Sequence, residues 1–185
     1  MKTGSLHLIL GPMFSGKTSE MRRRIQREQA AHRSCVVIKY AGDTRYSTGR
    51  TLLTHSRDSI DAIPASLLLS LTEADLDGVD AIGIDEGQFF PDLVEFCLEQ
   101  VETYGRTVIV ASLDGNFHQK PIGRTLELIP KAESIVKLTA VCMDCRKADA
   151  PFTVRLTDQE DEIVVGGAET YAAVCRACLE GPQDD

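Results

Sequence analysis

The eight residues Gly11-Pro12-Met13-Phe14-Ser15-Gly16-Lys17-Thr18 constrain this chain more than any other stretch. They match the pattern G-x4-G-K-[ST], whose glycines let the backbone curl until its N–H groups point inward at an anion. The pattern carries that meaning only between a strand and a helix. Residues 6–10 are an apolar run that reads as a short buried strand, and the composition from Thr18 to about residue 31 is helical. That helix adds the positive end of its dipole to the loop. Lys17 suits the β- and γ-phosphates and the Thr18 hydroxyl suits Mg²⁺, so an ATP-type triphosphate is the expected ligand.

Strand-like and helix-like segments alternate after the loop. Residues 35–40, 81–84, 107–113 and 135–141 read as further strands, residues 67–71 as helical, and residues 90–104 as a helix with Pro91 in its first turn. Residues 41–59 are polar and show little periodicity, which marks a functional loop rather than a core element. The alternation predicts an α/β domain of the P-loop type, a mainly parallel sheet flanked by helices over residues 1–140. Cysteine pairs, a charged run and Gly166-Gly167 then replace long periodic segments, so residues 141–185 are expected to form a small second domain.

Phosphoryl transfer needs a carboxylate near the metal and a group that accepts the nucleophile's proton. Asp85 and Glu86 follow the strand at 81–84, and ligands of open α/β sheets bind outside such carboxyl ends. Asp85 suits Mg²⁺, directly or through water, and Glu86 suits the proton. No guanine-reading Asn-Lys-x-Asp signature is present, which weakens a GTPase switch.

Cys142-x2-Cys145 and Cys175-x2-Cys178 are two knuckles with 29 residues between them. Two knuckles make a tetrahedral thiolate site suited to a structural Zn²⁺. The competing reading, redox disulfides, usually places one such motif at a helix N-terminus. Cys35 and Cys97 fall in core segments. A tail of this size draws much of its folding energy from a metal.

Composition narrows the classes. The formal net charge of −8 disfavours nucleic acid as a partner. No run approaches a membrane span, and no export signal opens the sequence, so a reducing cytoplasmic setting is expected. His7, His32, His55 and His118 are read as structural or surface residues, and Arg22, Arg23, Arg24 and Arg27 as a solvated helix face or a subunit contact. One of Phe89 and Phe90 is expected in the core.

In order along the chain stand the phosphate loop, Lys39-Tyr40-Ala41-Gly42-Asp43-Thr44-Arg45-Tyr46, Ile84-Asp85-Glu86-Gly87-Gln88-Phe89-Phe90-Pro91, Ala111-Ser112-Leu113-Asp114-Gly115-Asn116-Phe117 and the two knuckles. Together they resemble the zinc-containing, cytosolic-type thymidine kinase family, over nearly the whole chain. The resemblance implies a RecA-like P-loop fold and transfer of the γ-phosphoryl of ATP to the 5′-hydroxyl of thymidine, giving dTMP and ADP in nucleotide salvage for DNA synthesis. It implies Glu86 as general base, Asp85 near Mg²⁺, and Asp43, Thr44, Arg45, Gly87 and Gln88 around sugar and phosphates. It also implies that Phe117 packs on the base, that the backbone of Glu162, Ile163, Val164, Val165 and Gly166 forms a lasso around the thymine, and that Tyr171 stands at the substrate. A homotetramer and inhibition by dTTP are implied, and the long regulatory extension of some members is not expected here. Met13 and Leu113 would leave room for a 5-methyl group. One methyl is worth about 1–3 kcal/mol, so deoxyuridine is expected as a weaker substrate. The rivals are a P-loop ATPase that hydrolyses ATP without a nucleoside and a zinc-ribbon nucleic-acid-binding module.

Overall fold

The computed structural model describes residues 3–42, 51–53, 59–157 and 166–181, with the backbone alone for 51–53, 59–61 and 73. Asp43, Thr44, Arg45, His55 and the lasso residues Glu162, Ile163, Val164 and Val165 lie outside the described residues.

Six parallel strands form the central sheet, in the spatial order β5 (Ile63–Ala65), β2 (Cys35–Tyr40), β6 (Ala81–Ile84), β7 (Thr107–Leu113), β1 (Ser5–Gly11) and β8 (Ser134–Lys137). Continuous apolar strands are what a sheet covered on both faces requires, and their residues divide by alternation. Leu6, Leu8, Leu10, Ile38, Ile82, Ile84, Val108 and Val110 face one core, which Leu68, Phe90, Leu93 and Phe96 complete. Ile9, Val37, Ile109 and Ala111 face the other, beneath Met21 and Ile25 of helix α1 (Lys17–Ala30). Strand β7 lies between the strand that carries the phosphate loop and the strand that Asp85 follows.

Four expectations change in the structure. The polar segment after β2 contains an antiparallel hairpin, β3 (Thr51–Leu53) with β4 (Ser59–Asp61). The apolar run near residue 68 makes only a 3₁₀ turn, anchored by buried Leu68, before the single-turn helix α2 (Glu73–Leu76) starts at Thr72 with a capping box to Asp75. The helix expected over 90–104 begins later, at α3 (Leu93–Leu98), and widens into a π-turn over Glu99–Thr103. That wide turn carries Gln100 into the core, where its carbonyl accepts the Arg106 N–H at 2.9 Å and its side chain meets the Arg106 guanidinium. Finally, the strand expected over 135–141 is two strands. Strand β8 ends at Lys137, and β9 (Ala140–Val141) leaves the main sheet to pair with β10 (Asp149–Ala150).

The tail adds a second antiparallel pair, β11 (Phe152–Arg155) with β12 (Tyr171–Val174), and a short helix α4 (Arg176–Glu180). Its core is small: Ala140, Cys142, Ala150, Ala173, Val174 and Cys175. Among the described residues no helix is long and apolar enough to cross a membrane. Glu20 pairs with Arg23 at 2.7 Å and with Arg24 at 2.8 Å, so part of the arginine face of α1 is occupied by intrahelical ion pairs. His7 bonds Ser134 Oγ at 2.7 Å and Ser5 Oγ at 3.1 Å in a structural role, and Phe90 is buried core.

Candidate active site

The phosphate loop turns where its sequence requires. Gly16 adopts φ +81°, and a side chain on Gly11 would strike the Leu138 carbonyl, 2.5 Å from the ideal Cβ position. Phe14 holds a left-handed backbone, φ 64°, without being glycine, a strained conformation that persists only where neighbours over-determine it. Some of those neighbours are in the tail. The Phe14 ring packs against the small tail core, and the adjacent Met13 N–H donates to Thr153 Oγ1 at 3.0 Å, both residues buried. Within the loop the Pro12 carbonyl accepts from Ser15 Oγ at 2.9 Å and from Lys17 Nζ at 2.7 Å.

Across the carboxyl ends of the strands, Thr18 Oγ1 donates to the Asp85 carboxylate, 3.0 Å from Oδ2 and 3.1 Å from Oδ1. Asp85 is buried. Burial, followed by repulsion from the Glu86 carboxylate, pushes its pKa up to about 7, against the opposing pull of Thr18 and Lys17. A buried carboxylate beside a threonine hydroxyl is a donor set that fits Mg²⁺ held with phosphate oxygens.

Glu86 is half-buried and sits in the left-handed region, φ 55°, at the start of a 3₁₀ turn, Gly87–Phe89, that lies on β7. Gln88 Nε2 donates to Glu86 Oε2 at 2.6 Å. The orientation of that amide is dictated by its other end: Gln88 Oε1 accepts the Leu113 backbone N–H at 3.0 Å, together with Ser112 Oγ at 3.0 Å. A backbone N–H can only donate, so the amide nitrogen must face Glu86. Ser112 Oγ also shares a hydrogen bond of 2.8 Å with Thr125 Oγ1.

Leu113, which bonds Gln88 through its N–H, also forms an apolar wall with Met13 and Ile122, completed by Phe14 and Tyr171. Phe117 and Tyr171 come together there through Arg155. The guanidinium carbon stands 3.8 Å from the Phe117 ring centroid and 5.5 Å from that of Tyr171, and Nη2 donates to the Tyr171 hydroxyl at 3.0 Å. Gly166 lies against the Thr170 side chain, one residue before Tyr171.

The four knuckle cysteines converge, their sulfurs all within 4.8 Å of one another. Cys145 Sγ and Cys175 Sγ are 3.9 Å apart, far beyond the roughly 2.05 Å of a disulfide. The distance is close to the about 3.8 Å between sulfurs of a tetrahedral site with Zn–S near 2.3 Å. Burial raises the Cys142 thiol, but N–H groups of Cys175, Cys145 and Asp144 outweigh it and bring the thiol down to about 6. The four cysteines can therefore hold a metal ion, with a donor set and spacing that fit zinc. Cys35 and Cys97 stand apart from them.

Sequence reading missed Thr153, Arg155, Ser112 and Thr125. The Phe152-Thr-Val-Arg alternation signals a strand, but nothing in it tells which loop that strand meets.

A phosphate loop on one strand, paired acids one strand beyond its neighbour and an adjoining apolar wall define a P-loop phosphotransferase site. The thymidine kinase family model matches residues 4–179. Cytosolic thymidine kinase of Homo sapiens is 54% identical over 175 residues, covering 95% of this chain and 73% of that protein. Thymidine kinase of Yaba monkey tumor virus is 50% identical over 177 residues, 96% and 95% of the two chains. That of vaccinia virus, strain Ankara, is 49% identical over 181 residues, 98% and 99%. The chain belongs to the thymidine kinase family.

Proposed function

We propose that this protein is an ATP-dependent thymidine kinase with Glu86 as its general base. The observation that carries the assignment of roles is the arrangement around Asp85: Thr18 bonds it from the phosphate loop, while the adjacent Glu86 is held by Gln88. The loop N–H groups and Lys17 cradle the β- and γ-phosphates of ATP. Thr18 and Asp85 are the Mg²⁺ ligands, direct or through water, and the ion would neutralise charge on the phosphates. Glu86 takes the proton of the 5′-hydroxyl as that oxygen bonds the γ-phosphorus. The bond from phosphorus to the bridging oxygen breaks, releasing ADP and dTMP.

Asp43, Thr44, Arg45, Gly87 and Gln88 line the sugar and phosphates in this reading. Thymine lies against Phe117, Tyr171, Met13 and Leu113, and the backbone of residues 162–166 hydrogen-bonds its edge. Zinc on Cys142, Cys145, Cys175 and Cys178 is structural, because four thiolates leave no open position. The protein acts in cytoplasmic deoxynucleotide salvage as a homotetramer, is inhibited by dTTP and accepts deoxyuridine as a weaker substrate.

The test gives purified protein ATP, Mg²⁺ and each nucleoside in turn, with ADP and nucleotide products measured. Thymidine-dependent ADP release with matching dTMP supports the assignment. Equal ADP release with and without thymidine refutes it.

A further inference from the structure

Arg155 ends β11, immediately before the segment that leads into the lasso, and the main chain there is anchored by the Leu156 N–H donating to the Thr170 carbonyl at 2.8 Å. Its guanidinium joins two aromatic residues from distant parts of the chain. Phe117 belongs to the loop after β7, whereas Tyr171 opens β12 in the tail. Among the described residues β7 pairs with β1 and β6, and β12 pairs with β11.

We infer that Arg155 is a positioning residue of the nucleoside site, a planar cation that fixes the Phe117 ring and the Tyr171 phenol relative to each other and so shapes the wall against which a pyrimidine base lies. The inference rests on the functional reading above and deepens it. Three observations converge on this role. The distance of 3.8 Å to the Phe117 centroid is short for a cation–π contact, which extends to about 6 Å. The same group makes a charge-assisted hydrogen bond to the Tyr171 hydroxyl at 3.0 Å, so one rigid fork serves both partners. Tyr171 in turn packs on Met13, Leu113 and Ile122, which makes the clamp part of the apolar wall.

The chemistry requires arginine. A lysine ammonium has no plane to stack on Phe117 while donating to Tyr171, so the charge alone does not replace the clamp. A disordered wall costs the nucleoside binding energy without altering the phosphate loop. Loss of Arg155 therefore separates the two substrates: the affinity for thymidine falls and that for ATP holds.

The experiment compares wild type with Arg155→Met, Arg155→Lys, Tyr171→Phe and the Arg155→Met/Tyr171→Phe double variant. It reads KM for thymidine and for ATP, kcat, thymidine affinity by calorimetry, zinc content and Tm. Expected is a rise in thymidine KM of about tenfold or more for both arginine variants, with ATP KM within about twofold of wild type. The double variant should be weaker than wild type by less than the product of the single effects, because the two residues act as a pair. An unchanged thymidine KM in Arg155→Met overturns the clamp, as does full recovery by Arg155→Lys or a parallel rise of both KM values with loss of zinc. Should Arg155→Met fail to fold, Tyr171→Phe with Arg155→Lys decides the question on the same readouts. Wild type that neither binds nor phosphorylates thymidine would overturn the functional reading itself, whatever the variants do.

Discussion

The Gln88 side-chain amide donates to the Glu86 carboxylate at 2.6 Å, and the Leu113 N–H at the other end of the amide leaves it no freedom to flip. The general base in the proposed mechanism is thus held by a side chain whose polarity is set by the backbone of β7.

Replacing Glu86 by Gln removes the proton acceptor and keeps the shape. Turnover should fall by at least about 10²-fold, the usual scale for a lost general base, with ATP affinity little changed. Steady-state kinetics with thymidine check this, and near-normal turnover would take Glu86 out of the role.

Asp85 predicts a pH dependence of stability in Mg²⁺-free buffer. Its carboxyl is raised to about 7 in the folded chain, above its unfolded value, by burial and by Glu86. A group raised in this way contributes stability below its unfolded pKa and loses it as pH climbs through the folded one. The denaturant midpoint should therefore drop between about pH 4 and about pH 7, and Asp85→Asn should flatten that drop. Identical pH profiles for wild type and variant would contradict the assignment.

The knuckle cysteines predict about one zinc per chain in protein purified without chelator. Cys145→Ser should lose the metal and lower the Tm, as expected where a metal supplies folding energy to a small tail. Metal analysis of fresh wild type that finds no zinc rules this out.

Thr153→Val tests the link between tail and phosphate loop. The variant keeps the side-chain volume but leaves the buried Met13 N–H without its acceptor, a loss of about 1–3 kcal/mol. Chemical denaturation should register the loss, and the KM for ATP should rise because the loop relaxes. A stable variant with unaltered ATP KM would show that the bond holds nothing in place.

Local chemistry made most of this legible in the sequence. The phosphate loop, the acids after β6 and the cysteine knuckles are each defined by residues close together in the chain, and each is found where its pattern predicts. Five of the six central strands could be read because burial on both faces demands unbroken apolar runs, whereas the edge strand β5 is three residues long with Pro64 at its centre and gave no such run. What escaped depends on contacts across long separations. Thr153 meets Met13 across 140 positions, and no spacing rule encodes that meeting. The hairpin of β3 and β4 hid in polar sequence because a small two-stranded ribbon need not show an apolar period. The π-turn at Glu99–Thr103 was hidden as well, since a helix that widens by one residue keeps almost the same composition.

Phe14 packs into the cysteine-bearing core while belonging to the loop that would receive ATP. The tail therefore cannot be treated as an exchangeable module. A chimera that takes residues 141–181 from another family member must bring a surface that accepts this phenyl ring, or the donor site will lose its shape with every catalytic residue still in place. With zinc on the four cysteines, the same contact would give a chelator a route to inactivation that begins far from any phosphate: stripping the ion would first loosen the turn that receives the nucleotide.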